Sequence, residues 1–127
     1  MMDDEEFSIL KGEIIIEIDG GETHQSEMIF RTASGMTLIL YHEQDCCESV
    51  FIEDIVGDLD DIMNSPVLLA EEVNSEQPPI DPETNYYDES YTWTFYKLST
   101  IKGSITIRWL GTSNGYYSES VDITVTR

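Results

Sequence analysis

The spacing of apolar residues along this chain is strand-like almost throughout. Residues 10–19 carry Ile14, Ile15 and Ile16, then Ile18. β-Branched side chains suit a pleated ladder better than a helix, so a first strand is predicted here. Gly20 and Gly21 end it. Met28, Ile29 and Phe30 fall in a second strand that stops at Ser34 and Gly35. Residues 36–42 (MTLILYH) are apolar on both faces, which predicts a central third strand. Glu43, Gln44 and Asp45 are polar and turn the chain, and residues 49–55 (SVFIEDI) begin a fourth strand.

Gly57 then interrupts the run, and the Asp58 carboxylate can cap a short helix. Leu59, Ile62 and Met63 have helical spacing, and Pro66 stops the turn. Residues 67–73 (VLLAEEV) fit strand or helix, with strand preferred. A mobile acidic loop is expected at about 74–89, where Pro78, Pro79 and Pro82 lie among several acids. Beyond it the alternation sharpens. Residues 92–99 (TWTFYKLS) alternate threonine with aromatics. Residues 104–110 (SITIRWL) put Ile105, Ile107 and Trp109 on one face. After Ser113, Asn114 and Gly115, residues 116–126 put Tyr117, Val121, Ile123 and Val125 on one face. Asn-Gly readily takes the angles of a tight hairpin, so a three-stranded antiparallel meander is predicted. The expected class is α+β: mostly antiparallel β-sheet, about seven strands, with one short helix. It forms a single domain over 9–127, behind a flexible acidic tail at 1–8.

Charge changes this picture more than any motif. The 127 residues hold 26 carboxylates against six cations, a net −20. Residues 1–89 carry 24 of those carboxylates, opposed only by Lys11 and Arg31. Self-repulsion destabilises a compact state, so such an excess points to solubility or recognition. A globule of this mass exposes roughly 6,900 Å², and an even spread of acids would leave them about 16 Å apart. That exceeds the Debye length of about 8 Å in physiological salt. Only acids gathered on one face would approach the charge density of a nucleic-acid backbone. The acidic face read from the sequence comprises Glu53, Asp54, Asp58, Asp60, Asp61, Glu71 and Glu72.

No apolar run approaches the ~18 residues of a membrane helix. The acidic start lacks the basic-then-apolar order of a signal peptide, so the chain reads as cytoplasmic. Cys46 and Cys47 are adjacent, and the expectation is two free thiols in a reducing compartment. His42, Cys46 and Cys47 are the residues that a metal site would use. On a strand, however, the two cysteines would point to opposite faces. Cysteine catalysis is disfavoured, since Glu43, Asp45 and Glu48 oppose a thiolate. The paired acids carry no glycine-bearing calcium loop. No phosphate loop, dinucleotide fingerprint or nucleophile elbow is present, and no cofactor is expected. Arg108, Trp109, Asn114, Gly115, Tyr116 and Tyr117 combine charge, aromatics and a tight turn. They form the alternative, ligand-binding set, suited to a nucleotide held by stacking and backbone N–H groups.

Two stretches carry a resemblance: YHEQDCCESVFIEDIVGDLDDI at 41–62, with VLLAEE after it, and YTWTFYKLSTIKGSITIRWLGTSNGYYSESV at 91–121. Together they resemble a family of small bacteriophage and prophage proteins classed as a domain of unknown function, over most of residues 9–125. The Asp-Cys-Cys-Glu block, the Gly-Asp-Leu after it and the Ser-Asn-Gly-Tyr-Tyr-Ser turn are its most specific parts. The resemblance implies an α+β fold and a phage or prophage origin, and supplies no activity. The expectation is a non-enzymatic accessory protein acting inside a bacterial host. Its acidic surface would bind a host protein with a basic, nucleic-acid-binding surface, as a nucleic-acid mimic and possible counter-defence factor. No direct contact with nucleic acid or membrane is expected. The alternatives are a small-molecule binder sequestering a nucleotide signal and, third, a metal protein.

Overall fold

A computed structural model of the chain describes residues 7–44, 46–75, 90–113 and 118–127. The tail at 1–6, the loop at 76–89 and the Asn114–Gly115–Tyr116–Tyr117 set lie outside the described residues.

Eight strands form two four-stranded antiparallel sheets. They are β1 (Ile15–Asp19), β2 (Glu27–Thr32), β3 (Thr37–Tyr41), β4 (Ser49–Val56), β5 (Leu69–Ser75), β6 (Ser90–Thr100), β7 (Gly103–Ser113) and β8 (Asp122–Thr126). The first sheet has the order β1-β2-β3-β8 and the second β4-β7-β6-β5. Alternation explains how they pack. Met28 and Phe30 of β2 stand opposite Leu40 and Leu38 of β3, and all four are buried. Ile105, Ile107 and Trp109 of β7 stand opposite Leu98, Tyr96 and Thr94 of β6 on the inner face of the second sheet. The two inner faces share one hydrophobic core. Burying these side chains stabilises by about 1.5–3 kcal/mol each, enough to hold two sheets face to face.

Two expectations are corrected here. Among the described residues there is no α-helix, only 3-10 turns at Phe7–Leu10 and Leu59–Ile62. Asp58 does cap the second, its side chain accepting from the Asp60 N–H. But only seven residues separate Asp58 from Pro66, and Asn64 takes a left-handed φ of 63° between them. That leaves room for a single tight turn. The fold is therefore all-β where α+β was expected.

The meander is also shorter than predicted. β6 and β7 pair as a hairpin, but β8 crosses to the first sheet and pairs with β3. The reason is occupancy: the second edge of β7 is already taken by β4. β3 is central as expected, flanked by β2 and β8. Within the region 67–73 the strand begins at Leu69, and β5 forms the far edge of the second sheet. The Phe7–Leu10 turn, which no periodicity announced, plugs the core. Its Phe7 ring meets Phe30 of the first sheet and Tyr96 of the second.

Candidate functional site

The β3–β4 connection and the approach to β8 meet at one end of the sandwich. His42 leaves the end of β3 and Glu48 enters β4. Their side chains are 2.6 Å apart, Nε2 to Oε2, and exposed by only 3 % and 0 %. His42 Nδ1 lies 2.8 Å from the Ser120 carbonyl oxygen, 78 residues along the chain. Both ring nitrogens thus face acceptors, an arrangement that the doubly protonated imidazolium satisfies. Burial pushes the His42 pKa down. The hydrogen bonds to Glu48 and Ser120 and the charges of Glu48 and Asp122 outweigh it, and the pKa is raised.

The rest of the loop is organised around the same carboxylate. Glu48 Oε1 accepts from the Cys46 N–H at 2.9 Å, and Gln44 Nε2 donates to the Glu48 carbonyl at 2.7 Å. Asp122 accepts from the Glu43 N–H at 2.9 Å. A cavity of about 400 Å³ opens here, lined by His42, Glu43, Gln44, Glu48, Ser118 and Asp122. Its lining is rich in acceptors and carries no lysine or arginine.

Cys46 and Cys47 are joined in a disulfide, which corrects the expectation of two free thiols. They sit in the loop before β4, not on a strand, so the opposite-face argument does not apply to them. His42 is engaged by Glu48. Among the described residues no three metal-ligating side chains converge, at these residues or elsewhere.

A second buried carboxylate, Glu119, stands near this end and was missed by sequence reasoning. It accepts from Thr92 Oγ1 at 2.8 Å and from Ser113 Oγ. Its backbone packs onto Gly111 so closely that any Cβ there would overlap the Glu119 carbonyl oxygen. The His42–Ser120 contact makes the two segments bearing the family-like motifs neighbours in space. The only sequence signal for this was that both lie where strands end.

The ligand-binding set is not assembled as expected. Trp109 is fully buried between the sheets, its indole N–H without a hydrogen-bond partner among the described residues. It presents no face to a ligand. Arg108, one residue before it, points to the outer face of the second sheet. Its guanidinium binds Glu53 through Nε at 2.7 Å and also through Nη2, lies 3.7 Å from Asp54, and covers the Trp93 ring at 5.1 Å. That engagement leaves it poorly placed for an anionic ligand. The Tyr96 hydroxyl, also in the core, lies near the Glu72 carboxylate without a hydrogen bond of standard geometry. Burial first, and that charge second, hold its pKa far above the usual phenol range.

The seven acids of the predicted face fall into three groups. Glu53 and Asp54 lie on β4, beside Arg108. Asp58, Asp60 and Asp61 follow directly, on the turn that succeeds β4. Glu71 and Glu72 lie on β5. β4 and β5 are opposite edges of one sheet with two strands between them, about 14 Å apart at the usual strand spacing. β4 and its turn thus form one acidic strip, and β5 carries a separate pair.

Fold and site together define a two-sheet antiparallel β-sandwich with a tied loop cluster at one end and acidic edges. The chain belongs to the family described as a domain of unknown function, DUF7448, which it matches over residues 8–123. No curated protein and no solved structure matches it.

Proposed function

We propose that this chain is a non-enzymatic binding protein whose acidic strip engages a host protein built to hold nucleic acid, as a phage-type accessory protein would. The supporting observation is the run Glu53, Asp54, Asp58, Asp60 and Asp61 along an edge strand and its turn, with Arg108 the one cation paired to it among the described residues. Counting Arg108, four net negative charges fall within the nine residues 53–61, along the end of β4 and the turn after it. Such a strip attracts a basic groove at long range and weakens with salt. The test is binding to DNA-binding proteins of a bacterial host at low and high salt, with duplex DNA as competitor. Salt-sensitive binding that DNA displaces supports the reading. Binding indifferent to both salt and DNA overturns it.

The cavity at the sandwich end favours a second reading, small-molecule binding. Its acceptor-rich lining suits a cationic amine better than a nucleotide. Thermal-shift measurements with polyamines and with nucleotides separate the two ligands. No shift with either class removes this reading.

A further inference from the structure

The two sheets have four edge strands: β1, β8, β4 and β5. Exposed edges invite another chain, and proteins usually blunt them. β4 is blunted. A bulge interrupts it between Ile52 and Asp54, and the β1–β2 loop covers it, with the His24 N–H donating to the Ile52 carbonyl at 2.7 Å and the Ile52 N–H to the Gln25 carbonyl at 2.8 Å. β1 has a bulge between Ile15 and Glu17, and the Ile15 carbonyl accepts from the Asn64 N–H at 2.8 Å. β8 has five residues, nearly all half-buried.

β5 differs, although the Phe7–Leu10 turn packs against it and residues 12–14 pair with Pro66 and Val67 just before it. It pairs with β6 over seven residues without a register shift. It has no Lys, Pro or Gly. Among the described residues no backbone hydrogen bond reaches its outer side. Glu71, Glu72, Val73 and Asn74 are all exposed. Leu68, Leu69 and Val73, at 57 %, 41 % and 42 % exposure, are half of the exposed large hydrophobics of the described chain.

We propose that β5 is a docking edge for an extended, basic segment of a partner protein, which joins the second sheet as a fifth strand. Main-chain pairing supplies affinity in such strand addition, and alternate side chains supply specificity. The rows already present dictate those side chains. Val73 stands opposite Phe95 of β6, so the residue added beside Val73 is apolar. Glu71 stands opposite Lys97, so the residue added beside Glu71 continues an alternating row as Lys or Arg. Glu72 points to the other face with no cation opposite it, Tyr96 being its cross-strand neighbour. It takes a second basic residue. Leu69 takes a second apolar one. A second copy of this chain fits poorly, because its β5 would bring Glu71 and Glu72 against the same pair.

The inference rests on the reading of the chain as a binder of basic proteins, and the test separates the two. The probe is a synthetic heptapeptide with Val-Lys-Lys-Thr-Val at its centre. Two controls carry Glu in place of Lys, or N-methyl groups at alternate amides. Binding is followed by titration and by amide hydrogen exchange of the full chain. The expected result is slower exchange across Leu69–Ser75, little binding of either control, and about tenfold weaker binding by the Glu71→Lys/Glu72→Lys variant. That variant changes exposed side chains only, and its unfolding midpoint verifies its fold. Unchanged exchange at β5, or equal binding of the N-methylated peptide, overturns the proposal. So does a dimer of the free chain that already protects β5. If a DNA-binding host protein binds while β5 exchange is unaffected, strand addition fails and the acidic-strip reading stands. If the peptide docks on β5 but no such protein binds, the reverse holds.

Discussion

His42 Nε2 lies 2.6 Å from Glu48 Oε2, and this contact between almost fully buried side chains ties the end of the first sheet to the start of the second. Two charges taken out of water are costly, and their attraction offsets that cost only while both are present. Removing one strands the other. His42→Ala and Glu48→Ala should each destabilise by about 3–5 kcal/mol in urea unfolding. The double replacement His42→Phe/Glu48→Leu should cost far less than the sum. Additive losses would show that the pair is not a unit.

The same contact sets a pH dependence. The folded pKa of His42 is raised above its ordinary 6.5. The folded state therefore holds the proton more tightly than the unfolded chain does. The resulting stability is complete below pH 6.5 and is lost as pH rises through the folded value. The unfolding midpoint should fall across that window and then level off. His42→Gln should flatten this step and leave the acid limb below about pH 5, where carboxylates titrate, in place.

Much of the framework was legible from alternation alone. Ile105, Ile107 and Trp109 alternate onto one face of a pleated strand, and that face is core. The destination of β8 was not legible. Val121, Ile123 and Val125 record that one face is buried, not which sheet buries it, and the vacancy beside β3 is a property of the whole chain. The buried ion pair was hidden for a related reason. His42 and Glu48 lie in a polar segment that reads as a turn, and their burial depends on Ser120, far along the sequence. In the Asp-Cys-Cys-Glu segment the thiols are the conspicuous groups, whereas the glutamate organises the loop.

Phe7 shows what the sequence understated. Its ring centroid lies 6.1 Å from that of Phe30 and 4.7 Å from that of Tyr96, one on each sheet. It is 1 % exposed. Phe7→Ala should cost about 3–5 kcal/mol, and Phe7→Leu much less. A chain lacking residues 1–7 should show the same loss as Phe7→Ala. A loss below about 1 kcal/mol in both would mean that the sheets close without this plug.

Arg108 gives the sharpest division between stability and recognition. Its guanidinium is partly exposed at 37 %, so screening limits its ion pairs with Glu53 and Asp54. Arg108→Ala should cost only about 0.5–1 kcal/mol, part of it from lost packing on Trp93. It also removes the Arg108 charge from beside two carboxylates and makes the β4 strip more negative. If that strip is what a basic partner reads, the variant should bind DNA-binding proteins more tightly at low salt while being less stable. Asp58→Asn/Asp60→Asn/Asp61→Asn should do the opposite, weakening binding and slightly raising stability by relieving repulsion. Parallel titrations at two salt concentrations check both. Affinities that follow stability, and not charge, would assign these acids to solubility alone.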